Sequence, residues 1–279
     1  MDRRALEGSV AIVRPMRRLH LIELEDQPWV PRAVRDGATD VLDFMFDRLD
    51  AYREVAPRLE RALAASGAAA IVDLCSGGGG GTLSMARRLR AQGHDFRVTL
   101  SDRYPSDAGI ARVEALGDAG IVYAREAIDV RSAGGGAAGV RTMSGAIHHF
   151  RPDDVRAIVA ALVARRVPLA FFDVAASPTI RRMPVLFAPV AMAINMLVLC
   201  AVALLLVPFV RPFRWDRLLW TYLLPLIPLL FAWDGTVSAL RAYTPEELRD
   251  IAAAVPGGAA YDWSAGRAGR FLYLTGIPT

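Results

Sequence analysis

Lysine is absent from this chain of 279 residues, and all 33 of its basic residues are arginine. A phosphate-binding P-loop needs a Gly-Lys pair after its glycines, so the absence of lysine excludes that class of nucleotide site. The arginines are spread along the chain with acidic residues between them, and the formal net charge is only +4. No basic patch with interleaved aromatic residues results, and we therefore expect no nucleic-acid partner.

Cysteine and histidine are also scarce. Two cysteines, Cys75 and Cys200, do not suggest a disulfide framework. The four histidines show no spacing with other ligand types that is typical of a zinc site, so we expect no metal. The first residues lack the succession of basic, apolar and small residues that is typical of a secretory signal. We therefore expect the globular part of the protein to lie in the cytoplasm.

Hydrophobic residues are plentiful, at 53% of the chain, and the mean hydropathy is +0.29. The run 183–210 has 28 residues without a charge, which is long enough to span a hydrocarbon core of ~30 Å. A second uncharged run, 218–233, has 16 residues with two prolines and is short for a full span. We predict a membrane hairpin over 183–233, with two spanning helices, one full and one re-entrant limb, or no crossing at all. A buried pair of helices in a soluble protein is the alternative.

Five consecutive glycines, 77–81, follow a strand-like apolar run that ends at Asp73, and they precede a segment with helical spacing from Thr82. Glycines allow backbone angles that other residues avoid, and they let a ligand lie against main-chain amides at a helix start. The spacing does not fit the dinucleotide fingerprint, which needs glycine at the first, third and sixth positions of the turn. The stretch therefore predicts a strand, a tight turn and a helix with a nucleotide-like pocket, in preference to a linker.

This stretch resembles motif I of the class I S-adenosylmethionine-dependent methyltransferases, which has an acid, an apolar residue and then glycines at alternate positions. Asp73, Gly77 and Gly79 match the motif, and Cys75 stands in place of its first glycine. The resemblance implies an α/β fold with a Rossmann-like seven-stranded sheet, helices on both faces, and S-adenosyl-L-methionine as cofactor. It covers about 67–177 and 241–279. Residues 178–240 would then be an insertion that carries the hairpin, and 1–66 an N-terminal helical lid region.

The resemblance also implies roles for particular residues. The glycine turn would hold the amino-acid end of the cofactor, Asp102 its ribose, and Asp129 its adenine, with Ile128 against the base. For Asp129, a solvated position on a loop is the alternative. The predicted cofactor-binding residues are Asp73, Cys75, Gly77, Gly78, Gly79, Asp102, Ile128 and Asp129.

Two histidines, His148 and His149, follow the predicted fourth strand, 140–147. The resemblance implies that this junction faces the methyl group, so both are candidate catalytic residues. A neutral imidazole with a pKa near ~6.5 can accept the proton that an O–H or N–H acceptor loses. In the alternative, one histidine caps the next helix and the other packs beneath the sheet. Asp173, which ends the fifth strand, is a candidate for the acceptor site. The acidic segment 23–31 either binds a cationic acceptor, orients the lid or forms a solvated turn.

The position of the predicted hairpin indicates what the acceptor is. A loop after a parallel strand emerges at the edge of the sheet where ligands bind. We therefore predict a membrane-associated methyltransferase with a cytoplasmic catalytic domain, acting at O or N of a lipophilic small molecule or lipid. Two alternatives stay open: the acceptor is soluble and the hairpin is only an anchor, or the chain is a non-catalytic S-adenosylmethionine-binding membrane scaffold. The oligomeric state is not predicted.

Overall fold

A sheet of seven strands forms the centre of the molecule. The computed structural model describes residues 18–132, 138–174 and 185–279. The strand order is β3-β2-β1-β4-β5-β7-β6; the first five strands are parallel, and β7 runs antiparallel to its two neighbours. The predicted seven-stranded α/β fold is thus confirmed. The strands are β1 Ala70–Leu74, β2 Arg97–Leu100, β3 Ile121–Tyr123, β4 Val140–Ser144, β5 Leu169–Val174, β6 Tyr261–Ala268 and β7 Phe271–Pro278.

Helices cover both faces of this sheet and fill the segments before β1 and after β5. They are α1 Arg32–Arg48, α2 Ala56–Ser66, α3 Gly80–Ala91, α4 Asp107–Ala115, α5 Pro152–Ala164, α6 Ala188–Leu206, α7 Trp215–Leu218, α8 Leu226–Arg241 and α9 Pro245–Ala253. Helix α9 begins with two reciprocal hydrogen bonds. The Thr244 hydroxyl accepts from the Glu247 amide and the Glu247 carboxylate accepts from the Thr244 amide, which forms a capping box.

Alternate side chains of the central strands pack on opposite faces of the sheet. Ile71 and Phe172 lie in an apolar cluster with α2, α3 and α4. Their neighbours Val72 and Phe171 lie in a second cluster with α5 and α9. Since both faces are buried, these strands read in sequence as continuous apolar runs instead of alternating ones. The carboxyl ends of β1 to β5 remain as the edge on which a site can be built.

A third apolar cluster joins the N-terminal helix to the segment between β5 and α9. Val34 and Val41 of α1 pack with Ile227 and Phe231 of α8, and Ala203 of α6 joins the same cluster. Helix α8 therefore lies against both α1 and α6. Among the described residues, one helix is long and apolar enough to cross a membrane, Ala188–Phe209, and only 11% of its apolar window is buried.

The second predicted limb, 218–233, is not one straight helix. The segments Trp215–Leu223 and Leu226–Arg241 meet at a bend of 78°, and Pro225 stands at that break. Most of the first ten residues of α8 are buried within the protein. The predicted hairpin thus has one long apolar helix and one bent limb, which is exposed at Tyr222, Leu223 and Leu224 before α8 and mostly buried within α8. Residues 178–184 of the predicted insertion and 1–17 of the predicted lid region lie outside the described residues.

Both ends of α6 lie against the rest of the protein. At its C-terminal end, Ala203 and the following Val207 are buried in the apolar cluster with α1 and α8, and further along the chain the buried Arg217 side chain donates to the Asp40 carboxylate of α1 at 2.6 Å. In its N-terminal half, Asn195 donates to the Thr236 hydroxyl of α8 at 2.8 Å, and Ala188 packs with Leu240. Helix α6 consequently runs along α8 and does not project away from the protein.

Candidate cofactor and acceptor site

The Asp73 carboxylate, at the end of β1, is buried and accepts three hydrogen bonds from hydroxyl groups. The donors are Ser76 Oγ at 2.7 Å, Thr82 Oγ1 at 2.7 Å and Thr142 Oγ1 at 2.6 Å. Burial raises the pKa of Asp73, and the hydrogen bonds from these hydroxyls oppose that rise. Asp73 therefore joins β1, α3 and β4 beneath the glycine turn, and it supports the turn from below.

The glycine turn uses backbone conformations that suit glycine. Gly77 and Gly79 have φ of +50° and +81°, and Cys75, also in the left-handed region, has φ of +55°. A Cβ on Gly79 would lie 2.7 Å from Leu100 Cδ1, whereas a Cβ on Gly77 would meet nothing within 4 Å. The turn is packed at Gly79 and open at Gly77, just before the start of α3 at Gly80.

Asp102, after β2, lies beside the glycine turn. Its Oδ2 accepts from the Gly77 amide at 2.9 Å, and its Oδ1 accepts from the Tyr104 amide at 2.8 Å. The Tyr123 hydroxyl donates to the Gly77 carbonyl at 2.8 Å. The Ile128 amide donates to the Asp102 carbonyl at 2.9 Å, so residue 128 also lies at this edge.

Asp129 follows Ile128 on the same rim and is half-buried. Its Oδ1 accepts from the Arg131 amide at 2.9 Å, and Oδ2 lies 3.9 Å from Arg103 Nη1. Val130, the next residue, packs into the apolar cluster of α5 and α9. The structure thus brings the three predicted acids to the ends of neighbouring strands: Asp73 beneath the turn, and Asp102 and Asp129 on the accessible rim.

His148, in a short helical turn after β4, is buried and bound to Asp173 at the end of β5. The His148 amide donates to Asp173 Oδ2 at 2.8 Å, and the ring Nδ1 lies 2.8 Å from Asp173 Oδ1. Because a carboxylate accepts a hydrogen bond, this contact assigns the proton of a neutral His148 to Nδ1 and leaves a lone pair on Nε2. That Nε2 lies 3.5 Å from Glu23 Oε1.

His149 contacts two carboxylates of the N-terminal segment. Its Nδ1 lies 2.8 Å from Glu23 Oε2 and 3.3 Å from Asp26 Oδ1. Burial alone would lower the pKa of His149, but the hydrogen bonds to Asp26 and Glu23 outweigh burial and raise that pKa well above its usual value. At neutral pH His149 is therefore an imidazolium, which cannot accept a proton, and the two predicted catalytic histidines have different chemistry.

Glu23 is fully buried and is held by three side chains besides His148. Arg241 Nη1 of α8 lies 2.6 Å from Oε2, and the Ser238 hydroxyl donates to Oε1 at 2.8 Å. Burial raises the pKa of Glu23, but the hydrogen bond from His149 and the nearby positive charges lower it to about 2. Glu23 is an anion inside the protein, and α8 supplies part of its environment.

The backbone around Glu23 is also bound to α8. The Asp234 carboxylate accepts from the amides of Leu24 and Glu25 at 2.7 Å and 2.9 Å. Trp233 Nε1 donates to the Ile22 carbonyl at 2.9 Å. Of the interpretations of segment 23–31, the solvated turn does not describe the buried Glu23. No sequence spacing could have paired it with His148, 125 positions further along the chain.

Helix α1 lies directly on the glycine turn. Arg112 of α4 donates to Asp43 Oδ2 at 2.6 Å and to the Gly78 carbonyl at 3.2 Å. A Cβ on Gly80 would lie 2.1 Å from Asp43 Oδ1. These contacts have no local signal in the sequence, because Asp43 and Arg112 read there as ordinary charged positions on two helices.

No protein-family model and no curated protein matches the sequence. Two of the solved structures with a similar fold have a TM-score of 0.50 to this chain. One is human N-acetylserotonin methyltransferase in complex with S-adenosylmethionine, at 10% identity over 94% of this chain and 63% of that chain. The other is an O-methyltransferase from neocarzinostatin biosynthesis in complex with S-adenosylmethionine and 2-hydroxy-5-methyl naphthoic acid, at 14% identity over 89% of this chain and 59% of that chain. The present chain thus spans about three fifths of the length of these structures. Together with the strand order, they show that the chain has the α/β fold of the class I methyltransferases.

Proposed function

We propose that the protein is an S-adenosylmethionine-dependent methyltransferase that methylates an oxygen or nitrogen of a lipophilic acceptor at a membrane surface. The observation that carries this proposal is the buried pair of His148 and Asp173. The strands that precede them, β4 and β5, are neighbours, and β4 also pairs with β1, which leads into the glycine turn. A polarised imidazole therefore lies one strand away from a turn suited to a nucleotide-like cofactor.

The residues of the rim fit the cofactor. The exposed Gly77, beside which a Cβ would meet nothing within 4 Å, leaves space at the turn for the amino-acid end of the cofactor, and the half-buried carboxylates Asp102 and Asp129 suit its ribose hydroxyls and its adenine amino group. Ile128, whose amide donates to the Asp102 carbonyl, would offer an apolar side chain to the base. When bound, S-adenosylmethionine supplies an electrophilic methyl group on a sulfonium.

His148 is the general base in this proposal. Its Nε2 would accept the proton of the acceptor O–H or N–H, and the oxygen or nitrogen that loses this proton would take the methyl group from the sulfonium of the bound cofactor. Asp173, on Nδ1, orients the ring and stabilises the imidazolium that forms. His149, already protonated, and Glu23 hold the surrounding structure and shape the acceptor side. Alignment of the acceptor atom with the methyl group of the sulfonium contributes strongly to the rate by itself. We therefore assign to His148 only the part of the rate that depends on removal of the acceptor proton.

The outer face of α6 supports a membrane-bound acceptor. It exposes large apolar side chains along the helix, with Leu197 71% and Leu205 69% accessible, and the segment after it adds the exposed aromatic residues Phe209, Phe213 and Trp215. A contiguous apolar surface of this kind marks an interaction site. Because both ends of α6 are bound to the protein, we propose that it lies in the membrane interface, parallel to the surface, and does not cross the bilayer. This arrangement also avoids placing the basic turn 211–217 on the far side of the membrane.

The test uses purified protein, methyl-labelled S-adenosylmethionine and a total lipid extract of the host, with vesicles present. We expect label in the organic phase, and we expect His148→Gln to lower the rate by about 10²- to 10⁴-fold. His94→Gln, at a surface histidine paired with Glu60, is the control and should leave the rate unchanged. Label only in the aqueous phase would favour the soluble acceptor. Cofactor binding without any transfer would favour the scaffold, and absence of cofactor binding would overturn the proposed function.

A further inference from the structure

We propose that Glu23, His148 and His149 form a binding site for a divalent transition-metal ion such as Zn²⁺, and that the bound ion inhibits methyl transfer. Each of the three residues offers one ligand atom, and these atoms all lie within 4.8 Å of one another. Two imidazoles with one carboxylate form a ligand set that suits Zn²⁺ and related ions, whereas Mg²⁺ and Ca²⁺ prefer oxygen ligands alone.

Two distances, one on each oxygen of the Glu23 carboxylate, are close to those around a small metal ion. With metal–ligand bonds of about 2.0–2.2 Å in tetrahedral geometry, neighbouring ligand atoms lie roughly 3.3–3.6 Å apart. Glu23 Oε1 and His148 Nε2 are 3.5 Å apart. Glu23 Oε2 and His149 Nδ1 are 2.8 Å apart, since a shared proton now joins them. Replacing that proton with an ion needs a movement of the His149 ring of only about 0.5–0.8 Å.

The residues that hydrogen-bond to these three side chains are of the kind that surrounds the ligands of a metal site. Asp173 accepts from Nδ1 of His148, and a carboxylate on the far nitrogen of a ligating histidine fixes the ring and raises its basicity. Ser238 and Arg241 hold the Glu23 carboxylate in position. The ligands are therefore oriented before an ion arrives.

The charges around the cluster also admit a cation. The Asp26 carboxylate lies 3.3 Å from His149 Nδ1, and a Glu25 oxygen lies 3.6 Å from His149 Nε2. With Glu23 and Asp173, these carboxylates outnumber the guanidinium of Arg241, which lies against the same Glu23. Asp26 or a water molecule would complete a four-coordinate ion.

Inhibition follows from the lone pair that the ion uses. In the proposed reaction His148 Nε2 accepts the acceptor proton, and an ion on that nitrogen removes the base. This consequence rests on the proposed function, whereas the binding of the ion does not. The two can consequently be measured separately.

The binding test is a calorimetric titration of chelator-treated, full-length protein with ZnCl₂, in the absence of cofactor and acceptor. We expect one ion per chain, and we expect His149→Gln and Glu23→Gln to weaken binding more than tenfold. Asp173→Asn, which leaves all three ligands in place, should weaken binding by about 10- to 100-fold. His94→Gln, at the exposed His94–Glu60 pair, is the matched control and should bind like the parent protein.

Bound Co²⁺ provides a second measurement that does not depend on the folding of any variant. Intense visible absorption bands, typical of four-coordinate Co²⁺ with nitrogen ligands, are expected on addition of CoCl₂ and should disappear when Zn²⁺ displaces the ion. No saturable binding of Zn²⁺ or Co²⁺ to the parent protein, or equal binding by His149→Gln, would overturn the site. Saturable binding with an unchanged rate of methyl transfer would overturn the inhibition.

Discussion

At the scale of single residues, the hydrogen bonds to Asp73 can be removed one at a time. Thr142→Val keeps the shape of the side chain but leaves the buried carboxylate with one donor fewer. We expect the free energy of unfolding to fall by about 1–3 kcal/mol, because a buried polar group without its partner keeps its desolvation cost. Urea unfolding measures the change. Thr99→Val, on β2 and outside the Asp73 network, is the control, and an equal loss there would contradict this role of Asp73.

The pair of His149 and Glu23 predicts how stability varies with pH. The pKa of His149 is raised in the folded protein, so the stabilisation from its charged form is fully present below the unfolded pKa of about 6.5 and is lost as pH rises through the raised value. Glu23, with a pKa of about 2, stays ionised across this range. The difference in melting temperature between the parent protein and His149→Gln should thus be largest near about pH 6 and shrink towards alkaline pH. A difference that grows with pH would contradict the raised pKa.

The predictability of the site differs between residues for a physical reason. Asp102 and the glycine turn were predictable, because each follows a buried strand and local order fixes its place at the sheet edge. Glu23 and Arg241 were not, since 218 positions separate them along the chain and the packing of α8 on the N-terminal segment brings them together. The sequence singled out His148 and His149 equally, and only their different carboxylate partners separate a candidate base from an imidazolium.

At the scale of elements, the strands and the core helices follow from local patterns. The predicted fourth strand, 140–147, begins where β4 begins, and the Thr244 and Glu247 side chains that cap α9 lie three positions apart in the sequence. The segment between β5 and α9 is less determined by sequence. Its uncharged runs predict helices, but the bend before α8 and the burial of α8 against α1 depend on tertiary contacts.

The glycine turn gives a prediction for one element. Gly79→Ala places a Cβ at φ +81° and 2.7 Å from Leu100, so we expect a loss of about 1–2 kcal/mol in the free energy of unfolding and a shifted turn that binds S-adenosylmethionine much more weakly. Calorimetry with the cofactor measures the binding. The control, Gly93→Ala, has φ +94° and open space around it. It should lose stability to a similar degree and retain cofactor binding; a matching loss of binding in both variants would mean that the turn itself is not the binding element.

At the scale of the whole molecule, helix α8 connects the proposed membrane-binding surface of α6 with the proposed acceptor side of the site. One of its faces packs with α6 and α1, and its last turn carries Ser238 and Arg241 to Glu23 beside the histidines. A surface bound to lipid through α6 would therefore lie one helix away from the acceptor side of the site. This arrangement gives a lipophilic acceptor a short path and makes the outer face of α6 the part of the molecule to test.

The double variant Leu197→Asn and Leu205→Asn removes two exposed apolar side chains from that face. Burying one leucine is worth about 1.5–3 kcal/mol, so even partial burial in lipid predicts at least a tenfold fall in binding to vesicles, measured by co-sedimentation. Because both positions are exposed, the melting temperature should stay unchanged.

Leu116→Asn with Val122→Asn, two exposed apolar positions at α4 and β3, is the matched control and should bind vesicles like the parent protein. Transfer to a lipid acceptor should fall with vesicle binding while cofactor affinity stays constant. Undiminished vesicle binding by the α6 variant would exclude this helix as the membrane contact.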